Sequence, residues 1–439
     1  MQSTFKKITL LSALISLSVP FYAPQQAMGL EINAPTFIDD VKVNLLFRPR
    51  YEYVDDHSSN KPANALTVRT SLGVQINKIF QVNGLKAYIE ATDVGALVDD
   101  YFPQKTGYAQ VNDPDIARIT EAYISYTYNK TTFMAGRMRV NMDDERFIGS
   151  VDWRQMPQTF GVIGIKDNTI NNLDLLIAGI YERKGVNDNL NMDWKLDKMP
   201  IILHGSYKFM PQFKITAYGY LLTDLSNTYG INVTGDIPLT KDVKFGYLGE
   251  YAIQKDPYAK DNVTKKPKVD ADFYRVEAKL SGYGFFGIAG YERFQGADKG
   301  EDKGFTTPLA TLHKWEGWAD NFLGYIANTD TFGLKDAYIT LGYGHKDYGT
   351  ALITYHKFDA DKNTGYVGNT LKTISSKNFG SEIDLSYTVN LTKRLNFLAK
   401  AALYNGKNTT VSPANQDYLK NFPSGNDLTK YWVQLTYKY

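Results

Sequence analysis

The tightest constraint on this chain is a two-residue alternation that carries charge on one of its two faces. It is plainest in residues 429–439, TKYWVQLTYKY. Tyr431, Val433, Leu435, Tyr437 and Tyr439 are apolar or aromatic. Between them stand Lys430, Trp432, Gln434, Thr436 and Lys438, of which only Trp432 is not polar. Successive side chains of a strand point to opposite faces, so one face meets an apolar medium and the other a polar one. The pattern recurs near the other end. Val41, Val43, Leu45, Phe47, Pro49, Tyr51 and Tyr53 alternate with a set that includes Lys42, Arg48, Arg50 and Glu52. Leu66, Val68, Leu72, Val74 and Ile76 alternate with a set that includes Arg69. A dry core would not accept those charges. An apolar outside and a wet inside describe an all-β, transmembrane antiparallel barrel, whose strands cross with about 9–11 residues each. Closure of the first strand on the last removes the open edges.

Connection lengths point the same way. Short turns fall near residues 81–84, 129–131, 167–171, 210–212, 240–242, 281–284, 347–349 and 392–394. Long polar segments lie between them, at 55–64, 98–117, 143–158, 184–198, 255–270, 296–331, 359–377 and 405–428, and only 224–228 breaks the rhythm. Short periplasmic turns alternating with long extracellular loops are the rule for such barrels. The count predicts about eighteen strands, an even number.

Residues 1–29 read as a signal peptide: Lys6 and Lys7, an apolar run from Ile8 to Val19, then a small-x-small site at Ala27-Met28-Gly29. Residues 30–439 are then one barrel in the bacterial outer membrane. The 49 basic residues include those two lysines, which brings the remainder level with the 47 acidic ones. Bulk charge therefore gives no basis for nucleic-acid binding. No cysteine is present, which excludes a disulfide framework and a thiol nucleophile. No cofactor or metal site is expected. The expected partners are outer-membrane lipid, the barrel assembly machinery acting through the C-terminal strand, and a polar or anionic solute.

The densest functional stretch is residues 136–160. With Met134, Met138 and Val140 assigned to lipid, Arg137 and Arg139 point inward, and Arg146, Asp152 and Arg154 follow in a loop able to narrow a pore. Arginine stays charged and offers a planar donor fork, so Arg48, Arg50, Arg69, Arg137 and Arg139 are expected to form one basic patch. Arg275 and the acids Glu52, Glu90, Glu121, Glu182 and Glu277 share the inward set, where cross-strand pairing that stiffens the wall competes with solute selection. Residues 136–160 resemble the alginate export family of outer-membrane barrels, in which a Gly-Arg strand leads to an Arg-Phe-Ile/Val-Gly and Trp-Arg-Gln segment. Residues 48–52 and 308–320 resemble further parts of that family. The resemblance implies an eighteen-stranded channel with an arginine-rich lumen that passes anionic polysaccharide or other solutes.

Three smaller features compete. His204 and Ser206 have the His-x-Ser spacing of outer-membrane phospholipases. Ile201, Leu203, Tyr207 and Phe209 claim the lipid face, however, which places His204, Ser206 and Lys208 in the lumen. Residues 359–365 alternate oxygens like a calcium loop, but the glycine falls one place late and position twelve is Thr370. His313, Lys314, Trp315, Trp318 and Asp320 sit in the longest loop, as a sugar-stacking site or as a plug. The sequence thus points to a passive channel, with a barrel enzyme or a closed structural barrel as alternatives.

Overall fold

The computed structural model describes residues 40–257, 268–328, 331–413 and 422–439, so the leader at 1–29 lies outside the described residues. Eighteen strands form one closed antiparallel barrel. They are β1 (Asp40–Asp55), β2 (Ala63–Asn77), β3 (Leu85–Asp100), β4 (Ile116–Tyr128), β5 (Thr131–Met138) and β6 (Thr159–Asp167). Then come β7 (Leu173–Lys184), β8 (Ile201–Met210), β9 (Phe213–Leu222), β10 (Ser226–Pro238), β11 (Val243–Lys255) and β12 (Asp270–Gly282). The last six are β13 (Phe285–Phe294), β14 (Leu334–His345), β15 (Gly349–Asp359), β16 (Asn378–Asn390), β17 (Leu395–Gly406) and β18 (Leu428–Lys438). Each strand pairs with the next, and β1 pairs with β18, setting Arg50 opposite Gln434 and Glu52 opposite Trp432. The turns and loops fall where the alternation placed them, including the tight connection after β9.

Directly opposed residues of an antiparallel pair share a face. Phe47, Ile124, Ile163, Ile177, Leu203, Val276, Leu341, Ile353 and Val433 are exposed on the outer face. Arg48, Arg50, Glu52 and Arg69 are buried on the inner one. No helix among the described residues is long and apolar enough to cross a membrane; the crossing elements are strands.

The inside is not uniformly wet. The β5–β6 and β13–β14 loops fold into the barrel and join at a parallel bridge between Ile148 and Leu309. Phe147 of the first loop and Phe305, Phe322 and Phe332 of the second pack with wall residues Phe273, Phe294, Phe358 and Phe379 in one buried cluster. A short helix, α1 (Leu323–Asn328), adds Tyr325 and Ile326 to it. These two loops plug the outer part of the lumen with a core like that of a soluble protein.

That core corrects one assignment made from sequence. Met134, Met138 and Val140 pack against the internal cluster and do not meet lipid. Arg137 lies opposite Ala122 and Gly161, in step with exposed Ile124 and Phe133, and so faces outward. Glu182, also opposite Gly161, shares that outer face. The physical reason is the plug. Where loops cover the inner wall, both faces of a strand are dry, and apolarity no longer tells inside from outside.

Candidate functional site

The plug is fastened by arginines, most of them drawn from the inward set. Arg48 donates to Gln155 Oε1 at 2.8 Å, to the Asp152 carbonyl at 3.0 Å and to the Arg154 carbonyl at 2.6 Å. Arg50 donates to the Trp153 carbonyl at 2.5 Å and to Gln434 Oε1 at 2.6 Å, and lies 4.1 Å from the Trp153 ring. Arg69 bonds the Asp152 carboxylate at 2.7 Å, and Arg139 approaches it at 3.6 Å while pairing with Glu90 and Glu121. Four arginines thus close on residues 152–155. Burial alone would raise the Asp152 carboxyl, but Arg69, Arg48 and Arg139 prevail and hold it below the ordinary aspartate value.

The β13–β14 loop is pinned beside it. Arg154 bridges Glu52 at 3.0 Å and Asp320 at 2.8 Å, and Lys430 reaches Asp320 at 3.1 Å. His313 stacks on Trp153 with ring centroids 4.4 Å apart, and its Nδ1 stands 2.6 Å from Asp320 Oδ1. Burial drives the His313 imidazole well below its usual pKa, so the ring is neutral. Nδ1–H then donates to Asp320, and Nε2 accepts from Lys400 at 3.0 Å. Lys400 itself lies over Trp318 at 3.5 Å and Trp153 at 4.1 Å. Asp320, surrounded by His313, Lys430 and Arg154, stays well below the usual carboxylate range despite the opposing effect of burial.

A second knot lies across the barrel. Arg146 pairs with Glu292 and Glu316 and sits 4.5 Å from Trp315. Arg275 pairs with Asp144, with Glu250 at 2.9 Å and with Glu277 at 3.7 Å. Lys314 donates to the Asp144 carbonyl at 3.0 Å. Arg137 stands apart from both knots, bonded to Glu182 at 2.8 Å on the outer face.

Away from the plug the lumen changes character. Lys208 of β8 lies directly opposite Lys214 of β9, beside Thr234 of β10. With Lys279 they line one cavity that also holds Asp236 and Glu277. Lys166 and Asp174 line the neighbouring cavity with His204 and Ser206. Among the described residues, Lys166, Lys208, Lys214 and Lys279 form no ion pair within 4.0 Å. Like charges directly opposed on a strand pair are costly unless water screens them. The two lysines therefore mark wetted wall. Sequence reading placed only Lys208 on this face, as a neighbour of His204; the same parity carried along β6, β9 and β12 would have found the others.

His204 Nε2 lies 3.0 Å from Asp143 Oδ2, tying the wall to the β5–β6 loop, and no hydrogen bond joins His204 to Ser206 among the described residues. Asp361, in the calcium-like loop, is bound by Arg293 and Lys335. No three His, Cys, Asp or Glu side chains among the described residues are grouped to hold a metal.

Solved structures share this architecture. A BenF-like porin from Pseudomonas fluorescens Pf-5 superposes with a TM-score of 0.67 at 15% identity, covering 92% of this chain and 99% of that one. The fold is that of the outer-membrane porins. OccAB2 of Acinetobacter baumannii gives 0.65 at 18% identity with the same coverages. Pseudomonas aeruginosa OpdK, solved with vanillate, gives 0.62 at 12% identity, again covering 92% and 99%. No protein-family model matches the chain, and no curated protein does. The resemblance to alginate exporters in three stretches therefore gains no support beyond the porin-like barrel itself.

Proposed function

We propose that this protein is a passive channel of the outer membrane for small polar and anionic solutes. Water fills the lysine-lined part of its lumen, and the two inner loops set the constriction. The observation that carries the reading is the opposed, unpaired pair Lys208 and Lys214 on the inner wall. Such charges attract and orient an anion without binding it tightly, as conduction requires. Vanillate, named for one structural neighbour, is a small carboxylate of the kind such a wall suits. Export of an anionic polysaccharide would need both plugging loops to leave the lumen, a larger rearrangement than passage of a small solute would require. Residues 1–29 would direct export, and β18 would present the closing strand to the assembly machinery.

The test is the reversal potential of the refolded protein across a salt gradient in a planar bilayer. Wild type is expected to favour anions, and Lys208→Glu/Lys214→Glu/Lys279→Glu to favour cations. A wild-type cation preference, or none, would overturn the anionic part of the reading. Absence of any conductance steps would favour a closed structural barrel.

A further inference from the structure

On β13–β15 the outward faces carry charge at their external ends. Arg293 lies opposite Tyr274 on one side and Lys335 on the other, in step with exposed Ile339 and Leu341. Arg293 grips Asp361 through two bonds of 2.8 Å, and Lys335 reaches the same carboxylate at 3.1 Å. Lys377 donates to the Asp361 carbonyl at 3.1 Å. Two cations thus share one carboxylate, and a third bonds the main-chain carbonyl of the same residue. Asp272, 2.7 Å from Arg293, is the next acid, and the neighbouring Lys357 and Asp359 cancel each other at 3.6 Å. The knot keeps a net positive charge. Outward Tyr274 lies level with Arg293, Tyr291 and Tyr355 lie on the membrane side of it, and the aliphatic Ile339 and Leu341 follow.

Aromatic residues of a barrel settle at the edge of the hydrocarbon, so this knot lies at headgroup depth. Arg293 uses three of its five N–H donors on carboxylates and keeps two. We infer that Arg293, Lys335 and Lys377 form a docking site for the phosphate groups of outer-leaflet glycolipid. A phosphate supplies the missing negative charge and accepts the spare donors of arginine and lysine. The site lies outside the lumen and is independent of the transported solute.

The experiment uses the full-length protein in detergent and measures retention of bisphosphorylated lipid A against its dephosphorylated form by native mass spectrometry. Wild type is expected to prefer the phosphorylated form. Lys335→Gln/Lys377→Gln is expected to weaken that preference roughly thirtyfold, the factor two surface cations supply against an anionic membrane. Reversal potential should stay at the wild-type value. Equal retention of the two lipids by wild type overturns the proposal, as does an unchanged preference in the variant. Full competition by millimolar inorganic phosphate would show a free-anion site and overturn the lipid assignment. Should the variant fail the heat-shift gel assay for a folded barrel, the wild-type comparison of the two lipids still decides.

Discussion

Arg50 and Lys208 both point into the barrel from strands of similar pattern, yet they live in different media. Arg50 is fully buried and shares its donors between a loop carbonyl and Gln434. Lys208 is exposed on the inner wall and faces another lysine. The planar guanidinium suits the first place, because several fixed donors can satisfy carbonyls and carboxylates together. The ammonium suits the second, because it keeps its hydration on a flexible stem. The contrast separates holding the plug from attracting the solute. Arginine richness in the sequence marked the fastening, and less conspicuous lysines mark the wetted wall.

The largest effect is expected from Arg154→Ala. It leaves Glu52 on the wall and Asp320 in the plug without their shared partner, a loss of about 3–5 kcal/mol for a buried pair. The β13–β14 loop should loosen, and single-channel recordings should show larger, noisier steps. Quiet steps of wild-type size would mean the plug does not depend on this bridge.

Acid should come next. Asp152 and Asp320 titrate below the ordinary aspartate value in the folded protein, so their stabilisation is complete above about pH 4 and is lost as pH falls past it. Glu316 has the opposite sign: burial pushes it up to about 7, so it takes up a proton as pH drops through that value and is then relieved of a buried charge. Hydrogen exchange in residues 152–155, taken relative to the intrinsic amide rate at each pH, should therefore hold steady from pH 8 to 5 and quicken below 4. Quickening already at pH 6 would break the assignment of these carboxylates as the fasteners.

Arg137→Ala should do least. Its pair with Glu182 faces outward, with side-chain exposures of 27% and 14%, and such pairs contribute about 0–1 kcal/mol. The reversal potential should not move. A measurable shift would return Arg137 to the lumen and erase the distinction drawn here.

Much of the wall was legible in the sequence. On β1, β2, β8 and β18 one face was apolar and the other polar, so the alternation had a single solution. On β5 it had two, because Met134 and Met138 meet the plug while Phe133 meets lipid, and both environments are apolar. Nothing local to that strand says that a loop returns to cover it. The candidate residues divide likewise. Arg48, Arg50 and Arg69 could be assigned to the inner face, but their partners come from residues about a hundred positions away, which no spacing rule reaches. Of the lysines, Lys208 is legible beside His204, and Lys166, Lys214 and Lys279 follow from the same parity on β6, β9 and β12.

The fastening also has a bearing on the joint between β1 and β18. Arg48, Arg50 and Glu52 lie on one side of that seam, and Lys430 and Gln434 on the other, and the inner loops are bolted to both. The staves that meet last are thus riveted from within by segments that have nowhere to sit until the cylinder exists. Prising the seam apart means extracting those rivets first, so this joint of the cylinder is reinforced from inside.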